Sequence, residues 1–283
     1  MPSAPESVSH PASDAIARSA VEPPSAGFGR VMAVLVGTQH PGNIGAAARA
    51  LKTMGFSRLV LVAPERFPHA DATAMAAGAD DLLASATRCD TLAEAIADCR
   101  LVLGCTARSR RIALDELAPR LAAQRAVAVA NEGAEVAFVF GRERTGLDND
   151  ELQLCHAAVH IPANPEYSSL NLAAAVQVLA YELRVAFSMD SAQDALPAAL
   201  LPSEGEARNE PPATHAELEG FFSQLADTLD AIDFHKGRTP ETAMRKLRRI
   251  FLRAELDARD LRLLRGVLAD AQRMARLAAA RNG

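Results

Sequence analysis

The chain has 283 residues, 49% of them apolar, which is ample for one large or two small packed domains. Aromatics are scarce at 4%, tryptophan is absent and alanine abundant, which favours tightly packed helices in an α/β design over a β-sandwich. The formal net charge of −5 argues against a chain that meets nucleic acid along its whole length, the four cysteines lack any C-x-x-C pair, and the seven histidines lack metal-ligand spacing.

Residues 1–29 are rich in Pro, Ser and Ala without periodicity and read as a disordered tail. No apolar core of a signal peptide stands there, and no apolar run is expected to span a membrane, so a soluble cytoplasmic protein with buried, reduced thiols is the expectation. Arg30 to Val36 is a short continuous apolar run suited to a buried parallel strand. A polar loop, Gly37 to Gly45, leads from it into the helix Ala46 to Gly55. Gly37 and Gly42 have the spacing of a phosphate-binding loop, but Asn43 and Ile44 occupy the places that need Lys and Ser or Thr, and no G-x-G-x-x-G occurs. Arg49 stands among alanines inside this helix, where close packing makes an arginine more than surface decoration.

Ser57 to Ala63 reads as a second strand, and residues 72–99 as two helices with a short strand possible at Ser85 to Arg88. Arg100 to Gly104 is the next strand; it runs into Cys105-Thr106-Ala107-Arg108-Ser109-Arg110-Arg111. Asp115 to Arg125 reads as a helix. Glu135 to Phe140 is another buried strand, and it delivers Gly141-Arg142-Glu143-Arg144-Thr145-Gly146-Leu147. A short helix (Asp148 to Cys155) and a strand (Ala158 to Ile161) follow. Then comes the polar stretch Asn164-Pro165-Glu166-Tyr167-Ser168-Ser169-Leu170-Asn171. Ser168 or Ser169 is expected to cap the long helix behind it, with Asn171 in its first turn. That helix is apolar around nearly its whole circumference, so it needs cover on several sides. Loops at the carboxyl ends of parallel strands are where α/β proteins bind ligands, and four such loops in register point to one pocket.

Residues 190–213 read as a linker. Thr214 and Glu217 form a capping-box pattern that opens an all-helical module over residues 214–283. From Lys236 to the end there are thirteen Lys and Arg against five Asp and Glu, while the rest of the chain is acidic. Arg245, Lys246, Arg248, Arg249 and Arg253 give one helix a basic face fit for phosphates.

Three motifs, Asn43-Ile44-Gly45-Ala46-Ala47-Ala48-Arg49, Gly141-Arg142-Glu143-Arg144-Thr145-Gly146-Leu147 and Tyr167-Ser168-Ser169-Leu170-Asn171-Leu172, resemble those of the SPOUT superfamily of knotted RNA methyltransferases. The likeness is nearest to the bacterial tRNA (cytidine/uridine-32) 2′-O-methyltransferases, and continues in Met244 to Phe251 and Leu264 to Leu268. It implies a parallel sheet flanked by helices with a C-terminal trefoil knot over residues 30–189, and a homodimer; the scattered histidines already lead one to expect no metal. It implies S-adenosylmethionine held by Cys105, Thr106, Ala107, Gly141, Ile161, Ser168, Ser169 and Leu170, largely through main chain. Relatives often carry Thr where Cys105 stands. Arg49 is implied as the catalytic group, with Asn43, Ser169 and Asn171 orienting it and the ribose, and Glu143 pairing with a basic group or positioning its loop. Since a guanidinium is a poor general base, Arg49 is expected to fix a phosphate and stabilise the forming alkoxide. Arg108, Arg110 and Arg142 join the basic helix as expected RNA contacts. Ribosomal RNA as substrate, and a non-catalytic RNA-binding module on the same fold, are the rival readings.

Overall fold

The computed structural model describes residues 26–107, 114–191, 212–237 and 239–282. Seven strands, β1 (Val31–Val36), β2 (Leu59–Val62), β3 (Thr87–Cys89), β4 (Cys99–Cys105), β5 (Glu116–Leu117), β6 (Glu135–Phe140) and β7 (Ala157–Val159), form one parallel sheet. Its order is β3-β2-β1-β6-β4-β7-β5. β1 is buried at every position, as its uninterrupted apolar run requires of a strand covered on both faces.

Side-chain alternation along β1 separates two cores. Val31, Ala33 and Leu35 face α1 (Pro41–Thr53), α5 (Pro119–Asn131) and α7 (Leu172–Ser191), with α2 (Ala70–Ala76) and α3 (Asp80–Ala84) at the side. Met32, Val34 and Val36 face the opposite layer, which contains α4 (Leu92–Ala95) and α6 (Asn149–Gln153). α1 and α2 approach so closely that a Cβ on Gly45 would lie 2.0 Å from the carbonyl oxygen of Ala72. The small residues in this stretch are therefore a packing requirement.

A third apolar cluster joins α8 (His215–Ala231), α9 (Pro240–Arg253) and α10 (Ala258–Asn282), centred on Phe221, Phe222, Leu225, Leu252 and Leu261. The expected capping box is present, Thr214 and Glu217 each satisfying the other's backbone N–H. This helical unit rests on the sheet unit. The N–H of Ala216 donates to the carbonyl of Ala97 at 3.1 Å, and Arg125 pairs with Glu255 at 2.9 Å. His156 lies at this junction. Its Nδ1 accepts the Val102 N–H at 3.0 Å, which leaves its proton on Nε2; burial, then the neighbouring His215 and Arg125, pushes its pKa down to about 3.

Several expectations need correction. Residues 26–29 do not belong to the expected tail: Ala26–Arg30 is a 3-10 turn whose Phe28 ring lies 4.9 Å from Phe56 and 4.2 Å from Phe187. Residues 1–25 lie outside the described residues, as does most of the expected linker, since α7 continues to Ser191. α1 starts at Pro41, so Asn43 to Gly45 belong to its first turn and not to a loop. Pro fits there because the first helical N–H has no partner to lose. Three short helices, not two, fill the stretch before β4, and the helix expected from Asp115 begins only at Pro119, after the two-residue β5. Leu172–Met189 is long and apolar enough by composition to cross a membrane, contrary to the expectation, but α7 packs its apolar face on the sheet.

Gly45→Ala should destabilise the intact chain by about 1–3 kcal/mol in urea denaturation, on the scale of core overpacking. Gly29→Ala, where an added Cβ meets nothing within 4 Å, should leave the midpoint nearly unchanged.

Candidate active site

β1, β6, β4 and β7 are consecutive and parallel in the sheet. The segments that follow them, 37–40, 141–147, 105–107 and 160–171, therefore emerge side by side at one edge. That edge contains the point where the strand order turns back on itself, the usual place for a crevice. The expected convergence of four loops is met by strand order alone.

The loop after β6 is shaped first by its own glycines. A Cβ on Gly141 would stand 2.1 Å from the main chain of Gly146 and Leu147, and Arg142 and Gly146 exchange backbone hydrogen bonds of 3.3 and 2.8 Å. Arg142 then donates to both carboxylate oxygens of Glu151 at 3.0 Å. Its side chain also lies against Gly37, where φ is +57° and a Cβ would come within 2.8 Å of the Arg142 Nε. Only glycine satisfies both conditions.

Glu143 reaches in the other direction. Its Oε2 accepts the N–H of Gln39 at 3.0 Å; its Oε1 accepts the N–H of His40 at 3.1 Å and the Nδ2 of Asn43 at 3.0 Å. The N-cap of α1, His40, makes no side-chain cap hydrogen bond, and no acid stands in the first turn. A carboxylate from a hundred residues away thus supplies both the acceptors and the negative charge that the helix start lacks. Burial works to raise the Glu143 pKa. The hydrogen bonds from Asn43, from the Gln39 and His40 N–H groups and from its own N–H outweigh burial and hold it below the ordinary 4.5. These contacts join the loop after β6 to the start of α1.

Asn43 extends the chain of contacts. Its Oδ1 accepts the Nδ2 of Asn171 at 3.1 Å, and the Asn171 Oδ1 accepts the N–H of Ala173 at 2.9 Å. Asn171 is therefore the cap of α7, which corrects the expectation that Ser168 or Ser169 caps it. Those serines and Leu170 lie in the preceding loop. Asn164 shapes that loop, its Oδ1 accepting from Glu166 N and its carbonyl from Tyr167 N.

Arg49 is exposed on α1, and its guanidinium has no hydrogen-bond or ion-pair partner among the described residues. Cys105 ends β4. Burial, with Cys155 adding to it, pushes its thiol well above the usual range, so it stands as a small neutral side chain. The N–H of Thr106 is taken by the carbonyl of Val159 at 2.9 Å, and its carbonyl faces His160 Nδ1 at 3.2 Å. Thr106 thus ties β4 to β7, and its N–H is unavailable to a ligand. Ala107 is exposed, Gly141 buried and Ile161 half-buried at the exit of β7.

Among the expected RNA contacts, Arg108 and Arg110 lie outside the described residues. Arg142 is held by Glu151, and Arg248 by Glu219, with its guanidinium 4.3 Å from the centre of the Phe222 ring. Neither is a free surface cation, because each is needed to fix its own loop or helix. Arg245, Lys246 and Arg249 are exposed on α9, and Arg253 faces Asp115 loosely at 3.9 Å. Sequence reasoning missed the anchoring of Gln39 and His40; the signal was a helix opening His-Pro-Gly without a capping side chain.

Residues 30–181 match the SpoU rRNA Methylase family, and residues 216–280 match the family described as tRNA methyltransferase TrmJ, C-terminal domain. The chain is 47% identical over 248 residues to the tRNA (cytidine/uridine/adenosine-2′-O-)-methyltransferase TrmJ of Pseudomonas aeruginosa (strain UCBPP-PA14), covering 87% of this chain and 95% of that protein. It is 50% identical over 240 residues to the tRNA (cytidine/uridine-2′-O-)-methyltransferase TrmJ of Yersinia enterocolitica, covering 85% and 90%. Among solved structures, TrmJ from Z. mobilis ZM4 superposes with a TM-score of 0.70 at 35% identity over 84% of this chain and 97% of that one. A probable methyltransferase from Bordetella pertussis Tohama I does so with a TM-score of 0.54 at 46% identity, over 57% and 98%.

Glu143→Gln should weaken folding near neutral pH. Because the folded-state pKa is depressed, the carboxylate's contribution is fully present above the unfolded value near 4.5 and disappears as pH falls through the lower folded value. The stability gap between wild type and variant, measured by urea denaturation, should therefore be widest above about pH 5 and close below it.

Proposed function

The chain belongs to the SpoU methylase family, in the TrmJ branch whose C-terminal domain its residues 216–280 match, and from that premise we propose that it methylates the 2′-oxygen of a ribose in tRNA. The methyl donor is S-adenosylmethionine and the target is cytidine or uridine 32 of the anticodon loop. The observation that carries the proposal is the hydrogen-bonded run Glu143–Asn43–Asn171, which fixes the start of α1 against the loop before α7, on a helix whose exposed Arg49 guanidinium has no partner among the described residues. The match at residues 216–280 favours tRNA over ribosomal RNA.

The residues present fit an adenosyl group. Cys105, Leu117 and Ile161 offer half-buried apolar surface at the ends of the neighbouring strands β4, β5 and β7, and the loops that follow, with Ala107 and Ser168 to Leu170, carry main-chain donors and acceptors at the same edge. When bound, S-adenosylmethionine supplies a methyl group on a sulfonium centre. The protein's work is then on the ribose hydroxyl, a poor nucleophile. Arg49 receives a phosphate of the target nucleotide and stabilises the charge developing on the 2′-oxygen, and an oxygen of that phosphate takes the hydroxyl proton as the bond to the methyl carbon forms; the planar donors suit both of the arginine's tasks, whereas proton abstraction does not suit a guanidinium. Asn43 and Asn171, already joined, set the height and angle of α1, and Ser169 orients the ribose. Such alignment is worth several kcal/mol, on the order of effective-molarity effects.

The proposal includes a trefoil knot between β6 and α7. It is supported by the insertion of β6 between β1 and β4, after which the chain crosses to the far side of β4 to form β7. It also includes a homodimer. Val178, Tyr181, Val185 and Met189 line the outward side of α7, with Tyr181 54% and Met189 49% exposed, and a twofold copy would cover this stripe. On α9, Arg245, Lys246 and Arg249 supply phosphate contacts.

Arg49→Ala should abolish methyl incorporation into tRNA while the affinity for S-adenosylmethionine stays within about twofold, and Arg49→Lys should also be poor. Mass-spectrometric mapping of ribose methylation reads the position. Near-normal turnover by Arg49→Ala, or methylation of ribosomal RNA alone, would overturn the assignment. Sedimentation should give a dimer at micromolar concentration that Tyr181→Arg dissociates; a monomeric wild type would refute this part.

A further inference from the structure

The loop before α7 carries an aromatic ring without a partner among the described residues. Tyr167 is 83% exposed, the highest value among the large apolar and aromatic side chains of the described residues. Six other rings pack together, Phe28, Phe56 and Phe187 in one cluster and Phe221, Phe222 and Phe251 in another, while Tyr181 and Phe234 are only about half exposed. The Tyr167 ring makes no aromatic, cation or hydrogen-bond contact among the described residues.

The backbone beneath this ring is nonetheless fixed. Asn164 closes a turn onto it, with Glu166 N donating to Asn164 Oδ1 at 3.0 Å and Tyr167 N to the Asn164 carbonyl at 2.9 Å. Four residues later Asn171 is tied both to α7 and to Asn43. Four residues of extended chain span at most about 14 Å, so the ring stands within one or two nucleotides' reach of the α1 start. A tyrosine on an ordered turn loses little freedom when its ring is covered. An unpaired base is the flat, apolar-faced partner that such a ring accepts, and RNA loops present bases in that form.

We propose that Tyr167 is a specificity-determining contact that stacks on an unpaired nucleobase of the RNA at or beside the methylated nucleotide. This rests on the tRNA reading above. The stacked face is indifferent to base identity, so the contact selects an unpaired, extruded base over a paired one and is sequence-tolerant.

The chain contains no tryptophan, so Tyr167→Trp introduces a single indole whose fluorescence reports on what touches it. With the full-length protein, added tRNA should quench that emission saturably, at the same midpoint as binding measured by filter retention, while S-adenosylmethionine alone leaves it unchanged. In kinetics, Tyr167→Phe should match wild type. Tyr167→Ala and Tyr167→Leu should raise KM for tRNA about tenfold, as expected for loss of a base-aromatic stack, with affinity for S-adenosylmethionine and oligomeric state unaltered. The proposal is overturned by an indole that tRNA does not quench, by a Leu variant as good as Phe, which would mean a plain apolar contact, or by variants that lose cofactor affinity or dimer together with tRNA affinity. A wild-type protein that methylates no tRNA is a separate result; it removes the functional reading itself, and the stacking role with it.

Discussion

The site depends on one carboxylate. Glu143 sits on a loop whose shape is dictated by Gly141 and Gly146, and it reaches across to the main chain of Gln39 and His40 and the amide of Asn43. Helix α1 begins with no capping side chain of its own, so without this carboxylate several N–H groups at its start would be left to water and the helix would have no fixed origin. The dependence propagates. Asn43 holds Asn171, Asn171 caps α7, and the loop bearing Ser168, Ser169 and Leu170 is anchored at that point. An error in where α1 starts would be carried along the helix to the exposed Arg49.

Sheet order explains why so few contacts suffice. β6 lies between β1 and β4, although it follows β4 in the chain, so the loop bearing Arg142 and Glu143 emerges between the other loops of the site. Two successive side chains diverge from it: Arg142 lies against Gly37 and holds Glu151, while Glu143 holds the start of α1. On the far side, Thr106 bonds to the end of β7 through Val159. Each loop is thus tied to a neighbour, by a side chain for those after β6 and before α7 and by main chain at Thr106.

Much of this was legible in the sequence. Continuous apolar runs marked the buried strands to within one or two residues, and the glycine-bounded loops at their ends marked the edge that matters. The convergence of those loops followed from parallel topology. What was not legible has a common physical cause: it depends on partners distant in sequence. The start of α1 moved to Pro41, where an outside carboxylate holds the N-cap His40 and the Asn43 side chain. Phe28 joined the structure because Phe56 and Phe187 leave a place for a third ring. The cap of α7 moved to Asn171 because Asn43 orients that amide; propensity alone ranks serine as highly.

Charge shows the same limit in a sharper form. The run Met244 to Phe251 reads as a uniform basic face, yet its members have different fates. Arg248 turns inward to Glu219 and the Phe222 ring, where burial pushes the carboxyl up and the guanidinium down while their mutual attraction opposes both shifts. Arg245, Lys246 and Arg249 stay in water. Losing Arg248 would leave the half-buried Glu219 without its partner and loosen α8 from α9. Losing an exposed neighbour would only subtract one charge from a surface whose attraction for phosphate is screened by salt. A count of arginines cannot distinguish these effects. The distinction is set by helical phase, because the residue that faces Phe222 becomes part of the module's core.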